Sequence, residues 1–425
     1  MLNLTAAQEP ADSSAPHSTR AIDLAIIGDG LAGLACAHYA LRAGRIPLVI
    51  SAPEPGRERL SALNHHGVRI DAFHSPLHTS DTSLLGLLND LGQSDRVHWR
   101  SLCSRRVDAA PPADRWLRLR ARIAEAMVCK GHRRRHTKSV LARLRRIAGH
   151  QAFEHGLRPR LEAVLGPIDS SAPAFAARAA LDETREKTRE RLGSVRGGWS
   201  HVAAVLRARI QRAGGVFWAP VTLPRLRIER DGVELVGRRT LRVPVAISTI
   251  ASSDLRCASG EALASSDSHR QDVTSICMVG RGLKLGAYRS MGLDGTGRFY
   301  AFTQADALSS LSETRGASLI YTERRTAHGM LHEPADVVVK QALDALHSLV
   351  PGFDSAGLEN VWISTARGTE RVPQRSDRPP APIERPAAGP LFLAGAAGSG
   401  APPFRLESSV AIARDAMQRA LRALV

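Results

Sequence analysis

Three glycines carry the strongest chemical signal in this 425-residue chain: Gly28, Gly30 and Gly33, in the GxGxxG spacing of GDGLAG. That spacing suits a dinucleotide. The first glycine permits a tight turn, the second lets the backbone approach a pyrophosphate, and the third lets a helix pack against the preceding strand. Leu31 and Ala32 open that helix, whose free N–H groups and dipole would face the phosphates. The flanks agree with this reading. An apolar strand runs from Ile22 to Ile27, an apolar helix from Leu34 to Leu41, Gly44 stands where a helix stop belongs, and a second strand leads to Ser51.

Other reactive residue types are sparser. His74 and His78 are the candidates for moving protons, with a loop or capping role as the alternative. His65 and His66 read as a surface turn. His132 and His136 have no carboxylate or cysteine at ligand spacing, so no metal site is expected. Ser408 and Ser409 lack a GxSxG turn and read as helix-start residues. Trp199, after Gly197-Gly198, suits either a channel lining or simple packing. Cys36, Cys103, Cys129, Cys257 and Cys277 are scattered without a CxxC pair, the pattern of reduced thiols in a cytoplasmic protein.

The elements that must position these residues follow from composition and periodicity. A hydrophobic share of 43% is that of a globular chain, and the formal charge is +17, mostly from arginine. No zinc-finger, RRM or KH pattern accompanies that charge, so nucleic acid is not an expected partner. Residues 1–20 read as a disordered polar tail, and no uncharged apolar run is long enough to span a membrane. Thr82–Leu91 is expected to be helical, as are most of Trp116–Leu192, Ser200–Ala213, Ala335–Val350 and Leu406–Leu424. Strands are expected in Gly67–Phe73, Val216–Glu229, Val243–Ile250, Ser275–Val279, Arg298–Thr303, Ser318–Thr322 and Leu391–Ala394. Within Lys130–His150, Val140, Leu144 and Ile147 share one helix face opposite Arg143, Arg145 and Arg146. That face would either be part of a solvated basic helix or lie on anionic lipid at the inner face of a membrane.

In order along the chain, these pieces resemble the FAD-dependent amine oxidase/phytoene desaturase superfamily, and more nearly its squalene-associated branch of hydroxysqualene dehydroxylases and related desaturases. The resemblance rests on GDGLAG, on Arg69–Gly92, on Gly197-Gly198 through Leu226, and on LFLAGAAGSGAPPFRLESSVAIARDA at Leu391–Ala416. It implies an α/β fold with a discontinuous Rossmann-like FAD domain (21–75, 193–258 and 361–425). A substrate domain would be helical over 76–192 and sheet-forming over 259–360. It also implies FAD contacts at Gly28, Gly30, Leu31, Ala32, Gly33, Ser51, Gly56, Arg57, Leu223, Gly395, Ala396, Leu406 and Glu407. In this reading Gly395 ends the last strand, the helix N-terminus at Leu406–Ser409 faces the flavin, and the Leu223 strand passes the adenine.

The chain departs from the family pattern at several points. Ser51 stands where an acidic residue binds the adenosine ribose, and Gly56-Arg57 stands for Gly-Gly-Arg. Ala396 replaces the Asp of AGD, Ile412-Ala413 replaces Ser-Gly, and Phe73 replaces a glycine near the flavin. Asp29 sets a carboxylate beside a diphosphate, unfavourable unless it points to solvent. Three readings follow. The first is a flavoenzyme moving hydride from an apolar polyprenoid or polyene-like substrate. The second is a silent relative acting as a scaffold, homodimer or partner of a flavoenzyme. The third is an amine oxidase, for which an aromatic content of 4% is low.

Overall fold

The structure is a computed structural model that describes residues 21–52, 60–106, 115–130, 140–166, 168, 174–185, 187–237, 240–250, 254–259, 270–327, 333–371, 389–394 and 405–424. Two sheets organise it. The first is parallel throughout, in the order Leu391–Leu393, Val245–Ser248, Leu24–Ile27, Pro47–Ile50, Val216–Trp218. Its central strand reads LAII and is buried on both faces, as a parallel strand between two layers must be. Three distant stretches of the chain supply this sheet.

Alternation along the strands selects what covers each face. Leu24 and Ile26 pack against Leu31–Arg42, Thr82–Asp90, Gly198–Arg212 and the terminal helix Leu406–Ala423. Ala25 and Ile27 point the other way, onto a three-stranded antiparallel sheet of Arg225–Ile228, Val233–Val236 and Thr240–Val243. The first and terminal helices meet through small residues, and the Cys36 thiol donates to the Ala413 carbonyl at 3.5 Å. Ala413, where the family pattern has glycine, is thus a packing residue at a close helix crossing. Burial pushes the Cys36 thiol up to about 12, so it stays protonated.

The second sheet has eight strands, with Arg270–Gly280 and Ser318–Ala327 paired antiparallel near one edge. Ile276, Met278, Phe302 and Ile320 bury its outer face under the helix Ala335–Leu349. Cys277, Val279, Leu319 and Tyr321 face inward, onto Val68 and Ile70 of the hairpin Ala62–Asp71. The stretch expected to be helical over 76–192 also contains strands Leu77–His78, Val97–Arg106 and Lys187–Val195, which extend this sheet. Their exposed residues include the neighbours Arg100 and Ser101, so alternation in the sequence is weak and pairing partners decide.

Helices Arg115–Lys130, Val140–Ala148, Arg158–Leu165 and Ala174–Glu183 form a separate apolar cluster. Val140 and Leu144 are core there, and Ile147 packs against them. The apolar face of Val140–Ala148 is therefore turned inward, onto the other helices of this cluster. Leu223 lies in the connection before Arg225–Ile228 and not in a strand, half-buried against the apolar residues beneath the parallel sheet. Among the described residues no helix is long and apolar enough to cross a membrane.

Close approach at the first turn separates two glycines by experiment. A Cβ on Gly33 would lie 1.9 Å from the Gly28 carbonyl oxygen, whereas a Cβ on Gly30 meets nothing within 4 Å. Gly33→Ala is expected to destabilise the protein by more than about 3 kcal/mol, or to prevent folding, and Gly30→Ala by about 1 kcal/mol or less. Urea unfolding of the two variants checks the contrast.

Candidate functional site

The site begins at the carboxyl end of the parallel sheet, where ligands of such sheets bind. Gly28 donates its N–H to the Ile50 carbonyl at 2.8 Å and turns with a φ of +105°. Thr249 braces the turn from below, its hydroxyl donating to the Ile27 carbonyl at 3.1 Å. Among the described residues no side chain caps the helix that starts at Leu31, and its first turn carries no acidic residue. Its first N–H groups at Leu31, Ala32 and Gly33 therefore remain as anion donors.

Asp29 does not point to solvent. The Ser51 hydroxyl donates to its Oδ2 at 2.7 Å, and the Arg207 guanidinium donates to the same oxygen at 2.6 Å. Arg207 comes from Gly198–Arg212 and lies over the Phe217 ring at 5.6 Å. The guanidinium offsets the negative charge of Asp29 at this turn. The carboxylate thus stands against Ser51, at the strand end where the family pattern has its own acid. Arg207 is the residue that sequence reasoning missed. Its signal was present only as one arginine among many on an amphipathic helix.

The second part of the site gathers around Asp71. Its carboxylate accepts from the N–H of Trp199 at 2.7 Å and of Ser200 at 3.2 Å, capping Gly198–Arg212. Burial raises this carboxyl, and those two N–H groups pull it back down. Trp199 is a packing residue, with its indole N–H donating to the Ser75 carbonyl at 2.7 Å. The Asp71 carbonyl accepts from the Tyr321 hydroxyl at 2.6 Å. Phe73 turns onto Val273 and Ala366 of the large sheet.

His74 meets the Tyr288 hydroxyl at 2.8 Å through Nε2 and stacks on Tyr321 with ring centroids 5.4 Å apart. Part of its surface still reaches solvent, but protein encloses it on most sides. Burial pulls its imidazole down to about 4, and the neighbouring Arg289 adds to the effect. Burial also raises the Tyr288 and Tyr321 phenols. At neutral pH this group is an uncharged aromatic and hydrogen-bonded surface. His78 sits apart from it, with Nδ1 3.4 Å from Glu190, and its N–H donates to Asp81 at 2.8 Å.

Glu407 has a structural task. Both its oxygens cap Thr82–Asp90, accepting from Ser83 at 2.9 Å and Leu84 at 2.7 Å. Arg405 reciprocates by donating to Asp81 at 2.7 Å. The Glu407 carboxylate is thus occupied by this cap. Gly56, Arg57, Gly395 and Ala396 lie outside the described residues, as do His132 and His136. His65, His66 and Glu359 bring their ligand-type atoms within 4.8 Å of one another. Glu359 is shared there between His65 at 3.0 Å and Arg281 at 3.2 Å; of the two histidines expected in a surface turn, His65 ends the strand Ala62–His65 and is buried, and only His66 is exposed.

A lowered histidine pKa couples to stability with a definite sign. His74 titrates at about 4 in the folded protein against an ordinary 6.5 when unfolded. The unfolded chain then binds the extra proton between those values, so stability is intact above pH 6.5 and falls toward pH 4. Between pH 7 and 4.5 the wild type is expected to lose about 2 kcal/mol more than His74→Gln, a figure discounted for partial solvent access. Denaturant unfolding at the two pH values checks this, and equal losses would place the proton elsewhere.

Solved structures share this architecture over nearly the whole chain. Cyclohexylamine oxidase from Brevibacterium oxydans is similar at 16% identity, covering 95% of this chain and 98% of its own, with a TM-score of 0.69. Putrescine oxidase bound to putrescine is similar at 12% identity, covering 94% of this chain and 98% of its own, with a TM-score of 0.66. An oxidoreductase from Methanosarcina mazei is similar at 16% identity, covering 94% of this chain and 100% of its own, with a TM-score of 0.66. No family model matches the sequence, and no curated protein matches it. At such identities the likeness is one of fold, the fold these oxidases share.

Proposed function

We propose that the protein is an FAD-dependent oxidoreductase. The observation that carries this is the uncapped helix N-terminus at Leu31, with the Asp29 carboxylate beside it held by Ser51 and Arg207. The donor set fits a dinucleotide. N–H groups at Leu31 to Gly33 suit a pyrophosphate, and the open space over Gly30 allows close approach. Asp29 supplies the carboxylate that position 51 lacks, since both its side-chain contacts among the described residues use Oδ2 and leave Oδ1 for a ribose hydroxyl. The backbone at Leu406 and Ser409 faces the other end of the cofactor by resemblance.

FAD, when bound, supplies a hydride acceptor. The chain's own contribution is positioning and exclusion of water. Asp71 fixes the start of Gly198–Arg212, and neutral His74, hydrogen-bonded to Tyr288, presents a flat uncharged wall. The substrate we favour is an apolar polyprenoid or polyene-like molecule. It is supported by the resemblance of the pattern at Leu391–Ala416. A second reading, amine oxidation, draws on the aromatic group of His74, Tyr288 and Tyr321 and on neighbours named for amine substrates.

Purified protein is expected to hold FAD at about one per chain after desalting, read from its visible spectrum. Asp29→Asn is expected to weaken FAD about tenfold or more in a fluorescence titration, because a charge-assisted hydrogen bond to ribose is lost. Unchanged or tighter binding would mean that the carboxylate only repels the diphosphate. No flavin uptake by the wild type would favour a scaffold role. Anaerobic bleaching of bound flavin by a polyene, set against cyclohexylamine, separates the two substrate readings.

A further inference from the structure

We propose that the outer face of helix Arg115–Lys130 docks on an anionic lipid surface. Five large hydrophobic side chains are exposed among the described residues, and three belong to this helix: Leu119 at 45%, Ile123 at 46% and Met127 at 48%. They lie four residues apart, so they form one stripe along the helix. The opposite side is already committed. Ala124 is fully buried in the helical cluster, and Glu125 pairs with buried Arg160 at 2.9 Å. Arg160 also donates to Thr184 Oγ1 at 3.2 Å and to the Leu181 carbonyl at 3.3 Å, which locks the rotation of the helix about its axis. The stripe cannot turn inward without breaking that set.

The charges at its edges choose the occupant. Arg120 and Arg122 are exposed and fall on either side of the stripe. No acidic residue lies on this face from Leu119 to Met127, because Glu125 is turned to Arg160. An apolar stripe flanked by arginines suits a helix lying in a bilayer interface, with its side chains among acyl chains and its guanidinium groups on phosphates. Two copies of this face would oppose arginine to arginine, which disfavours self-association. The net charge of +17 adds attraction to the same surface. Nothing in this inference depends on the cofactor.

The test is co-sedimentation of the full chain with vesicles of phosphatidylglycerol and phosphatidylcholine in equal parts, and with phosphatidylcholine alone, across a salt series. Binding to the anionic vesicles that falls with salt is expected. The triple variant Leu119→Ser, Ile123→Ser, Met127→Ser is expected to bind about tenfold or more weakly with an unchanged melting temperature. The double variant Arg120→Gln, Arg122→Gln is expected to lose binding about fivefold or more and to flatten the salt dependence. Wild-type protein that ignores anionic vesicles, or a triple variant that binds them equally, would overturn the proposal. So would a concentration-dependent dimer that the triple variant abolishes while vesicles remain unbound, since the face would then belong to a second copy.

Discussion

The carboxylate of Asp71 joins parts of the chain that are far apart in sequence. Burying a carboxylate is costly unless its oxygens are satisfied, and here two N–H groups at the start of Gly198–Arg212 satisfy them, aided by the helix dipole. Gly198 permits the approach, for a Cβ there would meet the carboxylate at 2.5 Å. The Asp71 carbonyl takes the Tyr321 hydroxyl from the large sheet. One residue thereby connects the first segment of the parallel-sheet layer, a helix more than a hundred residues later, and the second sheet. His74, three residues on, inherits its position from this arrangement. So does Arg207, two turns along the capped helix.

That inheritance explains how the departures at the dinucleotide turn are accommodated. A serine ending the second strand and an acid in the turn look like two separate losses. In space they are a donor and an acceptor 2.7 Å apart, with a guanidinium on the same oxygen. The charge of Asp29 is offset by a helix whose start Asp71 holds.

Helix Arg115–Lys130 meets charge in two opposite ways, buried on one side and exposed on the other. Arg160 is a buried cation tied to Glu125 and to backbone carbonyls, and it sets which side of Arg115–Lys130 faces inward. Arg120 and Arg122, on the same helix pair, stay at the surface and border the apolar stripe. A buried ion pair of this kind contributes more to a unique orientation than to stability.

Much of the fold was legible in residues 21–51. Glycine spacing, a short buried strand and helix stops depend on local backbone sterics, and a local sequence reports those directly. The terminal helix and the strand Leu391–Leu393 were legible for the same reason. The strands Val97–Arg106 and Lys187–Val195 were not, because their pairing depends on neighbours remote in sequence. Nor could periodicity tell the two amphipathic helices apart. Val140, Leu144 and Ile147 form as good an apolar face as Leu119, Ile123 and Met127, and only packing decides which is core. Glu407 reads as a ligand residue in sequence and is a helix cap in space, since a carboxylate pairs with whatever donor the fold brings within reach. The sequence thus determined the turn, its helix and their order along the chain. Which charges neutralise one another, and which apolar face remains outside, was decided by contacts between segments that the chain separates by tens to hundreds of residues.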